Sequence, residues 1–246
     1  MNLKKNLPST RHEIKLLITY ADYIDLSHRL SAIMQRDKNS TDNGDYFIRS
    51  LYFDDRYNTS YITKVDGVDN RTKYRIRIYN NSDNVIKFEK KEKYVNKIHK
   101  TSIFINREQY EMIMNKEYDF LQYIDKPLAR ELYAQFKGKG LFPSVIVDYN
   151  RDAFIHDLSN TRITFDKSLA AGINTYDIFD ENLTTLSVFN KDMVILEVKY
   201  DKFIPAHVMS VINSVYGVKM SLSKFVMCKK LEGTMNIGSL FIKKWE

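Results

Sequence analysis

The chain has 246 residues, enough for one large domain or two small ones, and 43% of them are hydrophobic and 28% charged. This balance is typical of a globular protein with a sizeable core and argues against disorder over most of the length. The formal net charge of +7 indicates acidic partners, although charge alone does not separate nucleic acid, nucleotide, polyphosphate and anionic membrane.

Cysteine content and hydropathy limit the kinds of site and the cellular location that the sequence allows. Cys228 is the only cysteine, so an intrachain disulfide and a cysteine-based zinc site are both excluded, and its apolar neighbours predict a buried thiol. No stretch approaches the roughly 20 apolar residues that a membrane span requires, and the basic N-terminus lacks the apolar run of a signal peptide. We therefore expect a cytoplasmic protein, with tethering by a membrane-bound partner left open.

Apolar periodicity and turn residues predict the elements of the first half. In chain order they are a strand over 11–18, a helix over 22–34, a polar loop over 37–45, a strand over 46–53 and a short helix around 58–64. A hairpin follows, with strands over 71–79 and 85–93. Its turn over 80–84 is rich in Asn, Ser and Asp, which tolerate the backbone angles of a tight reversal.

The second half alternates helices and strands. We predict a strand over 100–105, a helix capped by Asn106, a helix over 128–136, strands over 144–149, 153–155, 161–166 and 193–200, and a helix from Pro205 to Val215. A basic, poorly defined tail covers 233–246. With only 8 Gly and 4 Pro and no linker, the chain reads as a single domain over 1–246 with its core over about 11–225.

The most informative pattern is a cation at every second position of a predicted strand. Lys73, Arg75 and Arg77 share one face of their strand, and Tyr74 and Ile76 lie on the other. Similar rows recur around residues 87–91, 149–151, 162–166 and 196–199. In an open sheet these rows would face water. In a closed barrel they would converge on one cavity suited to a polyanion, and we favour this α+β barrel.

Arg75 and Arg77 are the strongest candidate ligands, because the planar guanidinium fork fits phosphate oxygens and stays charged when partly buried. Lys87, Glu89 and Lys91 share a face on the neighbouring hairpin strand. Further charge would come from other walls of a closed barrel, namely from Lys100, Arg151 and Arg162.

Carboxylates in register with the cations are candidate ligands for Mg²⁺ or Mn²⁺, which bind phosphates through few protein groups. Glu197 is the best candidate, and Glu13 and Glu89 are weaker ones. The alternative is that these glutamates only pair with neighbouring Lys and Arg. The sequence has no glycine-rich phosphate loop of either common type and no nucleophile-elbow motif.

The segments above, in this order, resemble the VTC domain, the catalytic module of polyphosphate polymerases, which belongs to the triphosphate tunnel metalloenzymes or CYTH-like proteins. The resemblance runs from about residue 11 to 225. It is carried by Arg11-His12-Glu13-Ile14-Lys15, Ser50-Leu51-Tyr52-Phe53-Asp54, Tyr74 to Tyr79, Phe88-Glu89-Lys90-Lys91, Tyr149 to Phe154, Arg162 to Asp166, Leu196-Glu197-Val198-Lys199 and Ser223-Lys224-Phe225.

The resemblance implies a tunnel of eight antiparallel strands with peripheral helices. By it, Arg75, Arg77, Lys91, Arg151 and Arg162 would bind the triphosphate, and Glu197 would coordinate the divalent metal. Substrate contacts are expected from Lys15, Lys100, Tyr149, Lys199 and Lys224. A family lysine shortly before the last of these is replaced by Ser221, with Lys219 nearby.

The implied reaction transfers the γ-phosphate of ATP to a growing inorganic polyphosphate chain, with Mn²⁺ or Mg²⁺ as cofactor and with no nucleic acid partner. One alternative is a hydrolase on the same fold that acts on triphosphates, with Glu13 or Glu89 orienting water. Another is a binding module for polyanions or RNA without catalytic activity. A requirement for metal would separate either enzyme from the binding module.

Overall fold

The computed structural model describes residues 11–41, 44–94, 97–219, 221 and 223–242, with side chains up to residue 233. Along these residues the protein is a mixed α+β structure. Its strands are β1 (His12–Thr19), β2 (Gln35–Arg36), β3 (Asp45–Asp54), β4 (Arg71–Tyr79), β5 (Ser82–Tyr94), β6 (Lys97–Ile105), β7 (Phe142–His156), β8 (Thr161–Gly172), β9 (Thr185–Ser187), β10 (Met193–Tyr200) and β11 (Val218–Lys219). Its α-helices are α1 (Tyr20–Ser31), α2 (Thr59–Val65), α3 (Arg107–Met114), α4 (Pro127–Ala134), α5 (Ala206–Ile212) and α6 (Lys224–Ile242).

The strands form one large sheet in the order β11-β1-β10-β8-β7-β3-β4-β5-β6, with β2 beside β7 and β9 beside β8. The α+β class is confirmed. The predicted closure into an eight-stranded barrel is not, because among the described residues hydrogen bonding leaves β11 and β6 at the two ends of this order. None of the described helices is long and apolar enough to cross a membrane.

Contacts divide the chain into two compact units. Unit 1 comprises Met1–Asp45, Arg151–Lys167 and Asp192–Ser221, and unit 2 comprises Tyr46–Asn150, Ser168–Lys191 and Leu222–Glu246. The single domain over 1–246 stays a prediction.

Unit 1 is built on β1, β10 and the first part of β8, which pair antiparallel. On one face of these strands, apolar side chains such as Leu196 and Phe165 pack against α1 and α5 through residues such as Leu26 and Val208. The chain passes from β1 into α1 without a loop, because Thr19 ends the strand and caps the helix in a reciprocal capping box with Asp22. The opposite face is left for polar side chains.

Unit 2 is built on β3, β4, β5 and β6, again antiparallel. Alternate residues such as Phe53, Ile76 and Phe88 form one core with α3, α4 and the segment around Ile178. The predicted cap of α3 is confirmed, since Asn106 Oδ1 accepts a hydrogen bond from Gln109 N at 2.8 Å. The other face of these strands again carries the polar residues.

The β4–β5 hairpin closes more tightly than predicted. Asn80 and Asn81 have φ values of 51° and 53°, and the second strand starts at Ser82 rather than at Val85. A two-residue hairpin turn with positive φ at both positions suits Asn, and its twist matches that of the strands it joins.

Other boundaries also differ from the sequence predictions, among them those of β7 and of the C-terminal segment. β7 is one continuous strand where two were predicted. Its polar residue Asp152 is accommodated within unit 1, since its carboxylate accepts hydrogen bonds from Arg36 Nη1 at 2.7 Å and from Tyr23 Oη at 3.3 Å. The predicted tail over 233–246 is helical as far as Ile242, as part of α6, and residues 243–246 lie outside the described part.

Candidate functional site

The polar face of the unit 2 strands is dominated by cations. Directly opposite residues on adjacent strands share a face, and the register arranges this face in successive rows. We call it the cationic face and define it by Lys73, Lys91 and Lys100 in one row, Tyr52, Arg75, Glu89 and Ser102 in the next, and Ser50, Arg77, Lys87 and Phe104 in a third. Glu89 is the only carboxylate in these rows.

Arg75 forms an ion pair with Glu89, which lies directly opposite it on the adjacent strand. Its Nε and Nη2 lie 2.6 and 2.5 Å from Glu89 Oε2, and its Nη1 donates to Tyr52 Oη at 2.8 Å. The second carboxylate oxygen of Glu89 pairs with the ammonium of Lys100. Burial alone would raise the pKa of Glu89, but Arg75, Arg77 and Lys100 outweigh burial and hold that pKa well below its usual range. Glu89 is therefore an ionised counter-charge in the middle of the cationic face.

Arg77 has neutral partners instead. Its Nε donates to Ser50 Oγ at 3.0 Å and its Nη2 to Tyr149 Oη at 2.9 Å, and only 6% of the residue is exposed. The ammonium of Lys224, at the start of α6, lies 5.1 Å from the centre of the Tyr149 ring. The predicted pair of arginines is thus oriented by two different kinds of partner.

The start of α6 is attached to the same face. Phe225 stacks on Tyr52 with ring centres 4.9 Å apart, and Lys73 Nζ donates to Ser223 Oγ at 2.8 Å. Burial would raise the pKa of the Tyr52 phenol, but Arg75 and other nearby cations outweigh burial and lower it. A positive potential strong enough to reverse the effect of burial on a phenol is one that favours anions.

The polar face of unit 1 has a mixed pattern of charge. Across β1 and β10, Glu13 lies opposite Lys199 and Lys15 lies opposite Glu197. Glu197 is only 4% exposed, pairs with Lys199, and lies 3.5 Å from Lys15 Nζ through its other oxygen. Lys15 also pairs with Glu13. The charges alternate across the two strands, so each cation has a carboxylate beside it.

The two predicted arginines of unit 1 are each fixed by a buried aspartate. Arg151 makes a fork with Asp166 through Nε at 2.7 Å and Nη2 at 2.8 Å, and the Asp166 side chain is fully buried. Arg162 Nη2 lies 2.5 Å from Oδ2 of Asp37, whose side chain is 3% exposed. These carboxylates fix where the guanidinium groups point.

The predicted site residues therefore fall into two groups. The cationic face of unit 2 and the residues beside it bring together Arg75, Arg77, Lys91, Lys100, Tyr149, Lys224 and Glu89. The polar face of unit 1 brings together Lys15, Arg162, Lys199, Glu13 and Glu197, and Arg151 is positioned there by Asp166.

The predicted set of site residues omitted several residues that the structure adds. Tyr52 belongs to the cationic face, and so does Lys73, which the sequence had already placed on the same strand face as Arg75. Asp37 and Asp166 are the partners of predicted arginines, but Asp37 is 125 residues away from Arg162 in the chain, so no local pattern connects the two.

Glu197 has the surroundings that a divalent metal ion would need if it were bound partly by the protein and partly by substrate phosphates. Directly opposite it on β8 lies Thr164, whose buried hydroxyl has no hydrogen-bond partner within the described residues. A carboxylate and a hydroxyl are oxygen ligands of the kind that Mg²⁺ prefers, and Mg²⁺ commonly uses one or two carboxylates and completes its shell with substrate phosphates and water. The described residues contain no cluster of three His, Cys, Asp or Glu side chains able to hold a metal without such help.

Sequence comparison identifies the family. The model of the VTC domain matches residues 10–231. The chain belongs to the VTC domain family. The resemblance drawn from the sequence is thereby confirmed. No curated protein matches the chain significantly.

Solved structures extend the likeness of this VTC domain protein at the level of the fold. A putative adenylyl cyclase from Hippeastrum, HpAC1, which shows a dominant triphosphatase activity, superposes with a TM-score of 0.56 at 12% identity over 89% of this chain and 95% of that chain. A putative adenylate cyclase from Bacillus halodurans gives a TM-score of 0.48 at 10% identity over 87% of this chain and 96% of that chain.

Proposed function

We propose that this VTC domain protein is a polyphosphate polymerase that transfers the γ-phosphate of ATP to a growing inorganic polyphosphate chain in a metal-dependent reaction. The observation that carries the proposal is the cationic face of unit 2, where lysines and arginines surround one carboxylate. A surface with such an excess of positive charge is suited to a chain of phosphates, and membership of the VTC domain family supports the same substrate.

The cationic face contributes mainly electrostatic stabilisation. Phosphoryl transfer needs positioning and neutralisation of charge more than covalent chemistry by the protein. Arg77, whose orientation Ser50 and Tyr149 fix, would hold oxygens of one phosphate group, and Arg75 would hold those of a neighbouring group. Lys73, Lys91 and Lys100 would bind further along the chain as point charges.

In the proposed step, a terminal oxygen of polyphosphate forms a bond to the γ-phosphorus of ATP. The bond from that phosphorus to the bridging oxygen breaks, and ADP leaves. Because the attacking oxygen is already an anion, no general base is needed. Glu89 fits this view, since a carboxylate paired with both Arg75 and Lys100 and holding a lowered pKa is a poor proton acceptor.

For unit 1 we propose that Arg151, Arg162, Lys15 and Lys199 contact phosphate oxygens. Glu197, with the hydroxyl of Thr164, would hold Mn²⁺ or Mg²⁺. When bound there, the ion would neutralise developing charge on phosphate oxygens. Lys15 and Lys199 are partners of Glu197, so they would stabilise its ionised form before the ion binds.

The test is to incubate the purified protein with ATP and Mn²⁺ and to follow ADP, free phosphate and long-chain polyphosphate together. We expect polyphosphate and ADP to accumulate together. Free phosphate without polymer would overturn the polymerase in favour of a triphosphatase. Absence of turnover of ATP and of inorganic triphosphate with any divalent metal would overturn both enzymes.

Matched variants assign the activity to these residues. Arg77→Ala and Glu197→Ala are expected to abolish polymer formation with the circular dichroism spectrum preserved. Arg130→Ala is the control, because Arg130 lies on α4 with a side chain that is 61% exposed and only a 3.7 Å contact to Asp125. Normal turnover in both site variants would contradict the site assignment.

A further inference from the structure

The cationic face ends in an exposed aromatic group. Phe104 lies directly opposite Lys87, in the same row as Arg77, and points away from the core that its neighbours Ile103 and Ile105 join. Phe104 is 68% exposed, whereas those two neighbours are 3% and 6% exposed. A large apolar ring in water beside cations that would bind phosphate calls for an explanation beyond packing.

Lys87 connects this ring to a second one. Its ammonium lies 5.3 Å from the centre of the Phe104 ring and 5.6 Å from that of Tyr79, both within reach of a cation–π interaction. Tyr79 is next to Tyr46, with ring centres 6.2 Å apart. This end of the face is therefore aromatic, whereas the row of Lys73, Lys91 and Lys100 at the other end is purely cationic.

The two ends differ as the two ends of a nucleotide do. A nucleoside triphosphate carries a flat π-surface at one end and a chain of negative charge at the other. Same-face residues recur about every 7 Å along a strand, so the lysine row lies roughly 14 Å from the row of Phe104, with Arg75 between them. Bases stack on exposed aromatic side chains without needing base-specific hydrogen bonds, and a nearby cation adds to the attraction.

We propose that Phe104, supported by Lys87 and Tyr79, is a stacking platform for the base of a nucleoside triphosphate whose phosphates lie along the cationic face. The inference rests on the proposed function and specifies its donor, because it makes this surface a nucleotide site rather than a general polyanion site. Stacking on Phe104 alone gives affinity with little discrimination between purine bases.

The experiment compares two ligands that differ only in the presence of a nucleoside. ATP and inorganic triphosphate are titrated by calorimetry, with the same Mg²⁺ and salt concentrations, into wild-type protein, Phe104→Ala and Phe104→Trp. We expect Phe104→Ala to weaken ATP binding roughly 5- to 150-fold, the range found for loss of one base stack. Binding of inorganic triphosphate should not change, and Phe104→Trp should restore the affinity for ATP.

Tyr123→Ala is the control, because Tyr123 is 87% exposed and lies on a separate 3₁₀-helix (Asp119–Tyr123). If Phe104→Ala weakened the binding of ATP and of inorganic triphosphate equally, the platform would be overturned, since the ring would then act only through the cations. Unchanged binding of ATP would overturn it as well.

These outcomes are independent of turnover. If wild-type protein binds ATP through Phe104 but makes no polymer, the platform stands and the polymerase falls. If polymer forms while Phe104→Ala binds ATP normally, the polymerase stands and the platform falls.

Discussion

Removal of Glu89 should destabilise the protein and at the same time increase the stabilisation that a bound anion gives. The Glu89 side chain is 2% exposed and faces Arg75, which is 18% exposed, and Lys100. Truncating one partner of a buried ion pair typically costs about 3–5 kcal/mol, because the other charge stays desolvated without compensation. We take about 3 kcal/mol for Glu89→Ala, since Arg75 and Lys100 keep some access to water.

That loss corresponds to a lowering of the melting temperature by about 6–12 °C for a chain of this size. Inorganic triphosphate should then raise the melting temperature of Glu89→Ala more than that of the wild type, because it supplies the missing negative charge to Arg75 and Lys100. Polymer formation should nevertheless fall, because Arg75 loses the partner that orients it. Glu89→Gln keeps a hydrogen-bond acceptor for Arg75 without the charge. Its melting temperature should therefore lie between those of the wild type and Glu89→Ala.

The assay is differential scanning fluorimetry at pH 7 with and without triphosphate. Because the folded-state pKa of Glu89 is lowered, its contribution to stability is complete above its ordinary value of about 4.5 and is lost only as the pH falls below that value. The control is Glu111→Ala, which removes an exposed (i, i+4) pair with Arg107 and should change the free energy of unfolding by at most about 0.5 kcal/mol. An unchanged melting temperature for Glu89→Ala, or equal stabilisation of variant and wild type by triphosphate, would refute the reasoning.

Three further predictions concern other residues. Arg77→Lys keeps the charge but loses the bonds to Ser50 and Tyr149, so triphosphate should bind about tenfold more weakly in calorimetry; unchanged affinity would mean that charge alone matters. Thr164→Val removes a buried hydroxyl without a described partner, so the melting temperature should hold or rise while Mn²⁺-dependent turnover falls; a lower melting temperature would contradict this. Burial raises the pKa of the Cys228 thiol, so iodoacetamide should alkylate it only in denaturant, and mass spectrometry showing modification of the native protein would disprove its burial.

The alternation of residue types was enough to assign the faces of the central strands. Lys73, Arg75 and Arg77 do share one face, because a strand has a period of two whatever its partners are. The same reasoning placed Glu89 and Lys91 beside them, since a short hairpin fixes the register of two strands that are adjacent in sequence.

Partners that are distant in sequence could not be predicted in this way. Asp37 holds Arg162 across 125 residues, and nothing in the polar loop over 37–45 distinguishes Asp37 from its neighbours. Helix α6 was not predicted at all, and Gly233, Thr234 and Gly238 weaken the helical signal over its second half. The closed eight-stranded barrel was inferred from the rows of charge together with the family resemblance, and the rows alone are also compatible with a sheet that hydrogen bonds do not close.

The partners of the arginines suggest a division of roles among them. Arg75, Arg151 and Arg162 are each paired with a buried carboxylate, which fixes their orientation but cancels much of their charge. Arg77 is buried and donates to two hydroxyls, and among the described residues it makes no direct ion pair with a carboxylate, although Glu89 in the next row interacts with it electrostatically. A desolvated cation of this kind gains most from an incoming phosphate, because the cost of its burial has already been met in the folded protein. Arg77 should therefore contribute more to phosphate affinity than any of the carboxylate-paired arginines, and alanine substitution at each of the four, with triphosphate affinity as the readout, would rank them directly.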